Sequence, residues 1–291
     1  MKLQLLAIAV SLVGFSGTSY AQTKASCTFD VFLLNPANPL NPVTYPAGVT
    51  DKGTVVGGAI PLTNGEVAFT RYPDGSVHYY TAPGAKDTAF SGRNPHGISI
   101  GSYDTNNPPA SNGFMLNGKV FTPIVHGGST FTYPSGINKG NTIVGTYLGS
   151  GANLRGFIRR SNGVLVDLDY PRAQSTIPYG INDAGVIVGN YANPPTNTYA
   201  GFVNYKGKWA SVNYPGTVGT TLVGISDAGV IIGTTIDYAS FLYKNGVFKL
   251  IAIPSFSYTE VQAISPDGLI TGFAFVGDDN ADQHGFTARC E

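Results

Sequence analysis

The chain has 291 residues, of which only 12% are charged against roughly 25% in an ordinary soluble domain, while Gly (38), Tyr (17) and Phe (16) are abundant. Basic and acidic residues balance at 17 each with no basic run, so phosphate-backbone binding has no electrostatic footprint and nucleic acid is excluded as a partner. After the N-terminal leader no apolar segment approaches membrane-spanning length, so no membrane span is expected.

Met1-Lys2, an apolar run from Leu3 to Phe15 and the small-x-small ending Ser19-Tyr20-Ala21 read as a secretory signal peptide, residues 1–21, cleaved after Ala21. A lipoprotein signal ending at Cys27 fits less well, because Lys24 stands where an apolar residue is expected. The mature chain, residues 22–291, is expected to be secreted or periplasmic, monomeric, and a single domain.

The dominant signal in that chain is a ten-residue phrase, fullest as Gly180-Ile181-Asn182-Asp183-Ala184-Gly185-Val186-Ile187-Val188-Gly189. Copies begin at Gly48, Gly92, Gly136, Gly180, Gly224 and Ala263. A Thr stands four residues before each one, at Thr44, Thr88, Thr132, Thr176, Thr220 and Thr259. Pro stands nine before, at Pro39, Pro83, Pro171, Pro215 and Pro254, with Gly127 as the exception. A small residue and Phe open a later segment of each copy, at Phe69, Phe114, Phe157, Phe202, Phe241 and Phe286. A period near 44 residues means a propeller or a solenoid.

In chain order, the fourth copy predicts an inner strand over 176–181, a tight turn at 182–185 whose Asn and Gly supply positive φ, a second strand over 186–191, a third over 201–205 and an outer strand over 209–214. Four antiparallel strands per copy make a propeller blade. The fold class is therefore all-β, a six-bladed β-propeller. The last copy ends at Glu291 without an outer strand, whereas the first is preceded by a surplus apolar segment over 28–34. That segment is expected to complete the last blade and close the ring. Cys27 begins it and Cys290 ends the strand it would pair with, which predicts a Cys27–Cys290 disulfide in an exported chain.

The phrase Gly-Ile-Asn-Asp-x-Gly-x-Ile-Val-Gly, the small residue plus Phe, and Tyr-Pro-Gly with Thr five residues after the Pro resemble the bacterial extracellular HAF repeats. The family's tripeptide is best matched by His284-Gly285-Phe286. The resemblance covers nearly the whole mature chain and implies an exported bacterial propeller. It brings no catalytic residues with it.

Hairpins between strands one and two and between three and four are short and regular and lie on one face. Loops between strands two and three, with the blade crossings, lie on the other and vary between copies, so function is expected there. His126 replaces the Tyr that precedes Pro at Tyr170 and Tyr214, and is the leading candidate against a plain solvated loop His. Tyr103, Tyr199 and Tyr238 lie in or beside the varied loops, where rings can stack on sugars or simply pack. Asp104, Arg155, Arg172 and Asp237 are candidates for polar contacts. Asp278, Asp279 and Asp282 concentrate oxygens that could bind Ca²⁺, though without EF-hand spacing, and otherwise form a solvated acidic loop; no other cofactor is expected. The Thr ring reads as turn-capping hydroxyls. His284 reads as packing, His96 lies in a regular-face turn and His78 in an outer strand.

The composition and the lack of a recognisable catalytic set favour a binding or interaction module for a carbohydrate or another surface component. The alternative is a carbohydrate-active hydrolase or lyase at the channel mouth with His126 as acid or base. A purely structural repeat protein is the third possibility.

Overall fold

In a computed structural model, which describes residues 23–33, 43–60, 65–106, 108–192, 198–276 and 283–291, the repeats form six sheets arranged about a central channel. Blade 1 is built from Val43–Val49, Val55–Ile60, Val67–Arg71 and Val77–Tyr80, from the channel outward. Blade 2 comprises Asp87–Arg93, Ser99–Asn106, Pro109–Asn117 and Val120–Ile124, and blade 3 Thr132–Ile137, Ile143–Leu148, Leu154–Arg159 and Leu165–Leu168. Blade 4 comprises Ser175–Ile181, Val186–Ala192, Tyr199–Tyr205 and Lys208–Ser211, and blade 5 Thr220–Ile225, Ile231–Thr235, Ser240–Lys244 and Val247–Ile251. Blade 6 takes Tyr258–Ile264, Ile270–Phe275 and Gln283–Cys290 from the C-terminus and its outer strand, Cys27–Phe32, from the N-terminus. Each inner strand packs on the second strand of the blade before it, and blade 6 packs on blade 1, so the ring is closed.

The expected closure is present: Cys27 lies directly opposite Cys290 in the antiparallel register, and the two are disulfide-bonded. One element was not expected. Thr23–Lys24 pairs in parallel with Lys249 and Leu250 of blade 5, giving that blade a fifth strand, and the Ala25 amide donates to Leu250 O (2.8 Å). The N-terminal segment thus bridges blades 5 and 6. Two local expectations are corrected. The outer strand of blade 4 ends at Ser211 rather than residue 214, because the Tyr214 amide is taken by Thr220 Oγ1 (3.0 Å) instead of the sheet. In the 182–185 turn only Gly185 has positive φ, at 80°. Asn182 acts through its side chain instead, where Oδ1 accepts the Val186 amide (2.9 Å) and Nδ2 donates to Ser226 O of blade 5 (3.2 Å). Asn138 makes the same bond to Asn182 O, and Asn94 to Asn138 O, so this residue of the phrase ties neighbouring blades together.

The other recurring residues have equally local reasons. The six repeated Phe rings are completely buried, each worth about 2–3 kcal/mol of apolar transfer. The last Gly of the phrase makes room for them: a Cβ at Gly189 would meet Ile177 O at 2.1 Å and Phe202 Cε1 at 2.8 Å. The first Gly lets inner strands converge, since a Cβ at Gly180 would meet Gly224 Cα at 2.9 Å. Every inner strand bulges just before this residue, as between Pro178 and Gly180. The hydroxyls of Thr88, Thr132, Thr176, Thr220 and Thr259 each accept the amide six residues upstream, fixing the blade crossings. For Thr44 the corresponding Asn38 lies outside the described residues.

Candidate functional site at the channel mouth

Side chains alternate along a strand, so on each inner strand the buried Thr and the phrase Gly leave two positions facing the channel. One set is Tyr45, Ala89, Tyr133, Ile177, Thr221 and Glu260; the next is Ala47, Ser91, Ser135, Tyr179, Val223 and Gln262. The second set, with the converging first residue of each phrase, Gly in five copies and Ala263 in the sixth, encloses a narrow channel of ≈ 150 Å³.

Above it, on the varied-loop face, opens a cavity of ≈ 380 Å³ lined by residues from four blades. Blade 1 contributes Glu66, from the turn entering its third strand. Blade 2 contributes Asp87, Ser102, Tyr103, Asp104 and Ser111. Phe131, Tyr133, Thr146 and Leu154 come from blade 3 and its entry, and Ile177 and Tyr179 from blade 4. The Glu66 amide donates to Asp87 Oδ1 (2.8 Å) and the Thr88 amide to Glu66 O (2.8 Å), which fixes the first two carboxylates relative to each other. Lys86 Nζ approaches Asp87 Oδ2 at 3.3 Å. Burial, reinforced by the negative charges of Asp87 and Asp104, pushes the Glu66 carboxyl up to about 7. Burial, with Glu66 as the second cause, raises Tyr133 to about 12. The Thr146 hydroxyl is buried and has no hydrogen-bond partner.

Of the residues singled out from sequence, Tyr103 and Asp104 line this cavity; His126, Arg155, Arg172, Tyr199, Asp237 and Tyr238 do not. His126 stacks on Tyr147, with ring centroids 3.6 Å apart, and its Nε2 lies 3.0 Å from Asp167 Oδ1, to which the Tyr147 hydroxyl also donates (3.0 Å). The next blade repeats the arrangement with Tyr170 stacked on Tyr191 at 3.7 Å beside Ser211, so His126 occupies the aromatic place of a recurring blade-edge stack. Burial is the main cause raising Tyr147 to about 12, with the bond to Asp167 second. Arg155 pairs through both nitrogen arms with Asp169, Nε lying 2.7 Å from Oδ1. Arg172 is exposed in the crossing turn at φ 66°. Tyr199 opens the third strand of blade 4, half exposed. Asp237 and Tyr238 form the tip of an exposed turn in blade 5, Tyr238 at φ 63° with its ring edge-on to Tyr258. Asp278, Asp279 and Asp282 lie outside the described residues, and among the described residues no three His, Cys, Asp or Glu are placed to hold a metal ion.

No protein-family model and no curated protein matches the chain. Solved propellers do. An inactivated virginiamycin B lyase from Staphylococcus aureus with quinupristin superposes with a TM-score of 0.52 at 15% identity, covering 90% of this chain and 99% of the lyase. A variant of the Aleuria aurantia lectin in complex with Fucα1-6GlcNAc gives 0.52 at 12% identity, over 86% and 93% of the two chains. The sialidase of Trypanosoma rangeli gives 0.51 at 9% identity, over 86% of this chain and 55% of the sialidase. At such identities the likeness establishes the propeller fold alone.

Sequence reasoning missed Glu66, Asp87, Tyr133, Thr146 and Tyr179. Glu66 stands inside a segment that varies between copies. For Tyr133 and Tyr179 the signal stood just before the phrase: between the recurring Thr and the phrase's first residue, the two channel-facing positions change from copy to copy.

Proposed function

We propose that this protein is an exported binding module of the HAF-repeat type, whose channel-mouth cavity takes a carbohydrate or another surface component. The observation that carries the reading is one cavity with aromatic walls from Tyr103, Phe131, Tyr133 and Tyr179 and acceptors from Glu66, Asp87 and Asp104. Pyranose rings offer apolar C–H faces to aromatic walls and hydroxyl donors to carboxylates, so such a lining suits them. The disulfide is compatible with an extracellular or periplasmic setting, and no described helix is long and apolar enough to cross a membrane.

One observation favours a second reading, a carbohydrate-active enzyme. A carboxyl raised to about 7 beside two further carboxylates is the kind of pair that divides acid and base roles. In that reading Glu66, not His126, is the acid, because His126 does not line the cavity.

Isothermal titration calorimetry of the oxidised protein against soluble oligosaccharides separates the two. Heat that saturates with a defined stoichiometry supports a binding module; heat that continues until the sugar is exhausted supports turnover. Asp104→Asn is expected to weaken either signal about tenfold, the loss of one charged hydrogen bond, and His126→Ala to leave it unchanged.

A further inference from the structure

We infer that the ligand of the channel-mouth cavity carries a protonated amino group, and that within the carbohydrate reading its class is an oligosaccharide of free amino sugars rather than neutral or N-acetylated ones. The choice of a sugar rests on the function proposed above; the choice of an amine rests on the charge and chemistry of the cavity.

Glu66, Asp87 and Asp104 all line this one cavity. Among the described residues Lys86, on Asp87, is the one cation at ion-pair distance from any of them. Lys86 is itself largely exposed, so it offsets little of the charge inside. Carboxylates held together in a partly dry cavity repel one another, and an entering cation removes that cost, whereas a neutral hydroxyl leaves it in place. The facing side supplies the other half of an ammonium site. Tyr133, Tyr179 and Phe131 line it, and aromatic rings attract a cation through the ring quadrupole. Thr146, on the same wall, has a buried hydroxyl with no partner, and its oxygen can accept an N–H or O–H from a ligand. Carboxylates, aromatic faces and a spare acceptor around one ≈ 380 Å³ space match a protonated amine on a pyranose-sized body.

The test is calorimetry at low salt with four probes: a glucosamine tetramer, its fully N-acetylated form, cellotetraose and tetramethylammonium. The inference predicts that the glucosamine tetramer binds at least tenfold more tightly than the other two sugars, and that Asp104→Asn and Glu66→Gln each remove most of that preference while still unfolding in a single cooperative transition well above the assay temperature. Equal or tighter binding of cellotetraose or of the N-acetylated form overturns the amine inference and leaves the carbohydrate reading standing. Binding of tetramethylammonium with none of the sugars supports the amine and overturns the sugar. Silence with all four overturns both. If Asp104→Asn does not fold, Glu66→Gln, which replaces a carboxyl by a neutral group of the same shape, decides alone.

Discussion

A methyl group at Gly189 would stand 2.1 Å from the Ile177 carbonyl oxygen and 2.8 Å from the Phe202 ring, and neither an inner strand nor a fully buried ring can yield. Gly189→Ala is expected to cost about 3 kcal/mol or more. Gly207→Ala, in an outer hairpin at φ 78° with open space around it, carries only backbone strain and is expected to cost about 1 kcal/mol; denaturant titration of both variants checks the contrast. Thr146 reverses the usual expectation for a buried hydroxyl, because its hydroxyl has no partner to lose. Thr146→Val should raise stability by about 1 kcal/mol while weakening ligand binding, a separation that a purely structural role cannot produce. Glu66 gives the pH dependence. Its carboxyl is raised to about 7 in the folded chain from an ordinary 4.5, so the folded state holds the proton more tightly. Its contribution is therefore fully present below about pH 4.5 and is lost as pH rises through about 7. The groups acting on it are Asp87 and Asp104, and Tyr45 and Tyr133 feel its charge in turn. Between pH 5 and 8 the wild type should lose stability relative to Glu66→Gln, measured as the difference in Tm. At this scale the Thr ring was readable as capping, since one residue type at one offset in six copies fits one local bond. Thr146 was not, because an unsatisfied hydroxyl is a property of its surroundings rather than of the sequence.

The N-terminal segment carries the closure at the scale of elements. Cys27–Phe32 supplies the outer strand of blade 6, Thr23–Lys24 adds an edge to blade 5, and the disulfide spans 263 residues. Cross-linking so long a loop restricts the unfolded chain by on the order of 5 kcal/mol in the chain-entropy model. The Cys27→Ser, Cys290→Ser double variant is therefore expected to unfold at clearly lower denaturant concentration than the oxidised wild type, and at the same concentration as the reduced wild type. Strand identity and the outer strand of blade 6 were legible from period-two patterning, the truncated last copy and the surplus segment over 28–34. The parallel pairing of Thr23–Lys24 was not. Two residues carry no pattern, and the pairing depends on where blade 5 lies once the ring has closed. The role of Asn182 escaped the sequence for a related reason: a turn-favouring residue suggests a backbone role, whereas its side chain bonds its own turn and the next blade.

The whole molecule makes each repeat constant where blades meet and variable where the channel opens. Gly, Thr and Phe recur because each solves the same packing or hydrogen-bonding problem from blade to blade, and Asn does so in blades 2, 3 and 4. Residues facing the axis share no such problem and are free to differ. The number of blades followed from the six copies of the phrase, and the cavity opens on the face where the loops vary. The cavity did not, because Glu66, Asp104, Tyr133 and Tyr179 come from four blades whose convergence only the closed ring provides. His126 stood out in sequence by breaking a repeat rule, yet it substitutes one aromatic ring for another in a stack that the next blade repeats. The central claim is the location of binding, and hydrogen–deuterium exchange with and without saturating glucosamine tetramer tests it most directly. The account predicts slowed exchange in the segments holding Glu66, Tyr103–Asp104, Phe131–Tyr133 and Ile177–Tyr179, with the hairpins of the opposite face unchanged. Protection confined to the Asp237–Tyr238 turn, to the His126 edge or to the opposite face, or no protection anywhere, would contradict it.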